Sequence, residues 1–102
     1  MRVIKPSTIR AFERAHADAA AGLEYWLDIV ESAKWRKLHD VRQAFRSADE
    51  VKVSSGRTVV VFNISGNNYR LIAAVHYNMQ TVFVLRFLTH AEYSKDRWKD
   101  EL

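Results

Sequence analysis

Two short segments of this chain bring together residue types that could move protons beside a bound anion. Arg70 lies in Asn67-Asn68-Tyr69-Arg70-Leu71, and His90 and Tyr93 lie in Thr89-His90-Ala91-Glu92-Tyr93. An imidazole titrates near neutrality, a phenol can relay or orient a proton, and a guanidinium binds a phosphate through two parallel N–H groups. Thr89 and Glu92 form the pattern of a capping box, with Thr as N-cap and Glu at the third helical position. That places His90 at the first helical position and Tyr93 one turn on, and residues three apart share a helix face. The two side chains should therefore emerge together, directly after a strand. A capping box beside a histidine is common, so the pair gains its meaning from its surroundings.

Those surroundings are cationic. From Val51 to Ala91 there is no Asp or Glu, whereas Lys52, Arg57, Arg70 and Arg86 fall in that span with His76 and His90. The formal net charge is +4, and the N-terminal half mixes both signs. An acid-free stretch covering a whole sheet points to a polyanionic partner, although a sheet with few polar positions could collect a few cations by chance. Alternation sets Arg70 on one face with Ile72, Ala74 and His76, and Arg86 with Val82, Val84 and Leu88. A hairpin centred near Asn78 puts Arg70 directly across from Arg86, and a one-residue slip would part them. Like charges at opposed positions destabilise a sheet. Such a pair makes sense if an anion or an acidic partner chain sits between them, or if both simply point into water.

The elements that must position these groups are legible as three β-branched runs between Val59 and Tyr93. Two turn signals, Ser65-Gly66-Asn67-Asn68 and Asn78-Met79-Gln80, divide them into an antiparallel meander. Met1 to Ile4 leans towards an edge strand of the same sheet, and Val51 to Val53 towards another strand before a Ser54–Arg57 turn. Pro6-Ser7 opens a helix with Ile9, Phe12, His16 and Ala19 on its apolar stripe, where His16 reads as a core or boundary residue. Gly22 marks a break or kink. A second amphipathic run carries Leu23, Trp26, Leu27, Val30 and Ala33, and Trp26 and Trp35 read as core rather than as a base-stacking platform. Lys34, Arg36 and Lys37 fall at a helix end, where they would complement its dipole. Leu38 to Phe45 forms a short turn of helix with Val41 and Phe45 inward. Helices first and sheet second give an α+β fold, with helices packed on one face.

The 102 residues suit one domain spanning 1–102, and 48% hydrophobic content suffices for a core. There is no cysteine, the histidines are scattered and the sheet lacks carboxylates, so no metal or other cofactor is expected. A charged start, MRVIKPSTIR, and the lack of any apolar run near ~18 residues lead us to expect a cytoplasmic protein without membrane contact.

The strings FNISGNNYRLIAAVHY and VFVLRFLTHAEY together resemble the signature of the HigB family of toxins from bacterial type II toxin–antitoxin modules. The preceding LEYWLDIVESAKWRKLHDVRQAFRSADEV is similar to that family's helical segment, and the likeness runs from about Ile4 to Ser94. The family often has an aspartate where this chain has Ser94. The resemblance implies a RelE-like fold with two or three helices packed on an antiparallel sheet and a short C-terminal helix. It implies an mRNA endonuclease, often acting on the ribosome and held silent by a HigA-like helix-turn-helix antitoxin, with DNA reached only through that partner. Arg70, His90 and Tyr93 are the catalytic positions it marks. Lys52, which matches loosely, would hold the RNA backbone with Arg57 and Arg86. A non-catalytic RNA-binding module of the same fold is the competing expectation.

Overall fold

A computed structural model describes residues 1–102. The elements run β1 (Arg2–Ile4), α1 (Ser7–Ala15), α2 (Ala20–Ser32), α3 (Leu38–Ala44), β2 (Asp49–Lys52), β3 (Thr58–Ile64), β4 (Tyr69–His76), β5 (Thr81–Thr89), α4 (His90–Ser94) and α5 (Trp98–Glu101). The five strands form one sheet in the order β1-β5-β4-β3-β2. β1 pairs parallel with β5 and every other pairing is antiparallel. This is the expected α+β meander with an added edge strand at each side. No helix is long and apolar enough to cross a membrane.

Strand alternation divides the apolar residues between two faces. On the inner face, Val60, Phe62, Ile64, Leu71, Ala73 and Val82 pack against Ile9, Leu23, Trp26, Val30 and Val41 of the helices. Phe62 anchors that layer, with Trp26 meeting it edge-on at 5.5 Å and Trp35 stacked on it at 6.4 Å. Both tryptophans are core residues as expected, Trp26 on α2 and Trp35 in the connection between α2 and α3. On the outer face, Val53, Val59, Val61 and Ile72 would be bare, but Trp98 of α5 covers them. The sequence predicts one short C-terminal helix; the chain makes two, and the second closes the outer face.

Several local expectations need correction. α1 stops at Ala15, and Ala17–Ala19 form a separate tight turn, so His16 is the C-cap rather than a member of a longer helix. Its ring sits edge-on to Tyr69 and Phe87, at 5.2 and 5.5 Å, as a boundary residue should. Gly22 breaks nothing: it lies inside α2, where an added Cβ would come within 2.9 Å of Ser65 Oγ and 3.1 Å of Ser65 N. Its missing side chain lets α2 approach the β3–β4 turn. Lys34, Arg36 and Lys37 follow the end of α2 instead of capping it. The amino group of Met1 donates to the carbonyls of Val30 (3.0 Å) and Glu31 (3.3 Å) there, and does what those cations were expected to do.

The decisive irregularity lies between β4 and β5. Arg70 pairs with Leu88 and Ile72 with Arg86, and then the register shifts so that Ala73 faces Val84. This bulge leaves Leu85 without an opposite number and changes the parity of β5. Val82 and Val84 therefore pack on the inner face, whereas Leu85 and Leu88 pack with the outer cluster and Phe87 with the inner one. Arg70 and Arg86 are diagonal neighbours on the outer face, not directly opposed.

Candidate active site

The β3–β4 turn is the hub of the site. Ser65 and Gly66 take left-handed backbone, with φ of 54° and 69°, which folds the chain back within four residues. The turn then supplies acceptors in two directions. Arg70 Nη1 donates to Asn67 O (3.2 Å) and Tyr69 O (3.1 Å), and Nη2 donates to the Asn67 side-chain oxygen (2.5 Å). The His90 N–H donates to Asn68 O at 2.9 Å, tying the start of α4 to the same turn. Thr89 caps α4: its hydroxyl accepts from the Glu92 N–H at 3.2 Å, while the Glu92 carboxylate accepts from the Thr89 N–H at 2.9 Å. The capping box read from the sequence is thus complete. Accepting the Thr89 N–H holds the Glu92 carboxyl below the usual carboxylate range, assisted by the Thr89 side chain. Glu92 is therefore committed to the cap.

Arg70 is 8% exposed and the one charged residue among the buried set. It has no carboxylate partner: the ion pairs are Arg42–Asp49, Arg86–Glu101 and Lys99–Asp96. Its guanidinium carbon lies 5.4 Å from the centre of the Tyr93 ring. The three hydrogen bonds orient the guanidinium through neutral acceptors and leave its charge uncompensated, an expensive arrangement for a buried cation unless an anion arrives. Tyr93 is half-buried, and His90, one turn earlier, is exposed. The sheet end thus presents a fixed guanidinium, a phenol against it and an imidazole at the rim. Such a set can hold a phosphate and transfer protons around it.

The remaining expected cations are distributed differently. Arg86 lies two positions along β5 from Leu88, the partner of Arg70, but its Nε is 3.5 Å from Glu101 and its Nη1 donates to Leu85 O at 2.7 Å. The acid that meets Arg86 is Glu101 of the chain's own tail, and it makes no ion pair with Arg70. Lys52 pairs with Thr58, at the opposite end of β3 from Asn63, the partner of Arg70. At ~3.3 Å per residue, Lys52 and Arg57 lie about 15–20 Å along the strand from the arginine end. Lys52 is exposed on an open cleft of about 480 Å³ shared with Ser54, Lys95, Arg97 and Lys99, and Arg57 is exposed on the β2–β3 turn. Sequence reasoning missed Asn67 and Trp98. Asn67 left a trace, standing three residues before Arg70 inside the turn motif; Trp98 left none, because its position depends on the route of the tail. The Tyr93 and Trp98 rings stack at 5.4 Å and 18°, and Trp98 Nε1 donates to Tyr93 O at 3.1 Å.

Helices on one face of a five-stranded, mostly antiparallel sheet, with this cationic edge beside a short C-terminal helix, define a RelE-like domain. The model of the HigB toxin family, the RelE-like toxic component of a toxin–antitoxin system, matches residues 19–96, and the chain belongs to that family. It is also similar to the mRNA interferase HigB of Escherichia coli O6:H1 (strain CFT073), at 25% identity over 95 residues, covering 93% of this chain and 90% of that protein.

Proposed function

We propose that this chain is the mRNA-cleaving toxin of its module, a metal-independent endoribonuclease that inhibits translation by cutting messages on the ribosome. The observation that carries the reading is Arg70: a buried guanidinium without a carboxylate, held by neutral acceptors against Tyr93. In RNA the 2′-OH can attack the adjacent phosphorus. The new O2′–P bond forms as the P–O5′ bond breaks, leaving a 2′,3′-cyclic phosphate and a 5′-OH. One proton leaves the 2′-OH and another reaches O5′, and His90 and Tyr93 divide those two transfers. Arg70 stabilises the charge that develops on the phosphorane oxygens. Acid–base catalysis of this kind contributes ~10²–10⁴ in rate. Lys52, Arg57 and Arg86 hold the flanking backbone without reading bases.

Three groups are a sparse catalytic set, and an assembly that orients the RNA fills the gap. Positioning alone can remove ~7–11 kcal/mol of barrier. Purified protein should therefore cut naked mRNA slowly and ribosome-associated mRNA efficiently, with undiminished cleavage in EDTA on ribosome-free RNA. A HigA-like helix-turn-helix antitoxin, encoded beside the toxin, holds it silent. The direct test is 5′-end mapping of cellular mRNAs after brief expression of the wild type and of Arg70→Ala. New ends that appear only with the wild type, while both proteins melt cooperatively, support cleavage at this site. Equal cleavage by the two overturns it, and loss of RNA affinity without any cleavage by the wild type leaves a binding module.

A further inference from the structure

We propose that Trp98 is a positioning residue that sets the Tyr93 ring for the reaction, an inference that rests on Tyr93 being one of the proton-transfer groups. The helix carrying Tyr93 is five residues long, and its capping box fixes the first turn rather than the last. So short a helix is marginal on its own. Nothing within α4 prevents the phenol from swinging about its χ1. Trp98 restrains the ring by the 5.4 Å stack, and the backbone that carries it by the Nε1 hydrogen bond to the carbonyl oxygen of the same tyrosine. The Tyr93 ring is thus held against both the indole and the guanidinium of Arg70.

Trp98 is itself immobilised. It is 3% exposed and rests on Val53, Val59, Val61 and Ile72 of the outer sheet face. The segment around it is pinned to the β2–β3 connection: the Ser54 N–H donates to Lys99 O at 3.0 Å and the Ser54 hydroxyl to Asp100 at 2.6 Å. Glu101 reaches Arg86 at 3.5 Å from the other side. The last turn of the chain is therefore a strap tied to the rigid sheet, and Tyr93 inherits its position from that sheet through Trp98. A buried indole N–H needs an acceptor wherever it lies, and here that acceptor is Tyr93 itself, so the stack and the hydrogen bond converge on one residue.

The test compares turnover and KM on ribosome-associated mRNA for purified variants. Trp98→Leu keeps an apolar anchor on the valines and removes ring and N–H together. Its turnover should fall about 10- to 100-fold, the loss that a displacement near 1 Å can produce, with KM nearly unchanged and melting still cooperative. Trp98→Phe restores a stacking ring and should recover turnover to within a few-fold of the wild type. Because Trp98 acts through Tyr93, Trp98→Leu combined with Tyr93→Phe should be no slower than Tyr93→Phe alone. Wild-type turnover in Trp98→Leu, or losses that multiply in the double variant, overturns the inference while leaving the proposed cleavage standing. Wild-type turnover in Tyr93→Phe removes the reading of Tyr93 as a reacting group, and this inference with it. Should Trp98→Leu melt below the assay temperature, Trp98→Met, which fills more of the indole's volume without a ring, takes its place in the same comparisons.

Discussion

At the guanidinium of Arg70, what matters is which acceptors are charged. All three of its observed hydrogen bonds go to neutral oxygens of Asn67 and Tyr69. They fix direction without satisfying the cation. Asn67→Asp would change one atom type and convert the contact into a buried ion pair, so the protein should be at least as stable and cleave at least ~10-fold more slowly, equivalent to ~1.4 kcal/mol. Melting curves and end mapping separate the two effects, and full cleavage by Asn67→Asp would show that the charge of Arg70 does not act on the phosphate. Arg70, His90 and Tyr93 stand out in the sequence as candidates because their chemistry is intrinsic to the side chain and a local motif sets the spacing of the last two. Asn67 acts partly through its backbone carbonyl, which any residue would supply, so residue type alone could not reveal it.

At the scale of elements, the local signals held and the irregular ones did not. The meander, the edge strand β1 and the capping box follow from alternation, turn residues and Thr89-x-x-Glu92. The bulge after Ile72 has no residue signature here; together with a hairpin centred between Asn78 and Met79 rather than on Asn78, it sets Leu88 instead of Arg86 opposite Arg70. Gly22 reads as a breaker by propensity, yet the close approach of Ser65 is what requires it. Gly22→Ala should destabilise by about 1–2 kcal/mol despite a helix propensity gain near 1 kcal/mol, because the new methyl meets backbone as well as side chain. Chemical denaturation measures it. The cap gives a pH prediction. The Glu92 carboxyl is held low in the folded chain. Its stabilisation is therefore present above the ordinary glutamate pKa of ~4.3 and is lost as pH falls through the lower folded value. The melting advantage of the wild type over Glu92→Gln should be visible at neutral pH and vanish in acid. An advantage that grew as pH fell would contradict the cap.

Across the whole molecule, the acid-free span from Val51 to Ala91 was a sound observation with an incomplete consequence. The tail that folds over the outer face carries Lys95, Arg97 and Lys99 but also Asp96, Asp100 and Glu101, three charges of each sign. It lines the Lys52 cleft with Lys95, Arg97 and Lys99 but also with Asp96 and Asp100, and sets Glu101 beside Arg86, so the tail's own charges cancel. RNA affinity should therefore depend on the sheet's own cations. For a single strand, each phosphate neutralised contributes ~0.7 to the slope of log affinity against log salt. Binding of an oligonucleotide with 2′-deoxy sugars, which the 2′-OH route cannot cut, would measure that slope without cleavage. Lys52→Ala should lower its magnitude by ~0.7 whatever the base sequence, as a backbone contact must. The Arg86–Glu101 pair is about half exposed and worth at most ~1 kcal/mol, so a phosphate can exchange with the carboxylate. Glu101→Gln should then raise affinity and steepen the slope by up to the same amount. A slope that ignores Lys52 but responds to Glu101→Gln would run the RNA along β5 and α4 alone; one that ignores both would remove the backbone from the outer face altogether.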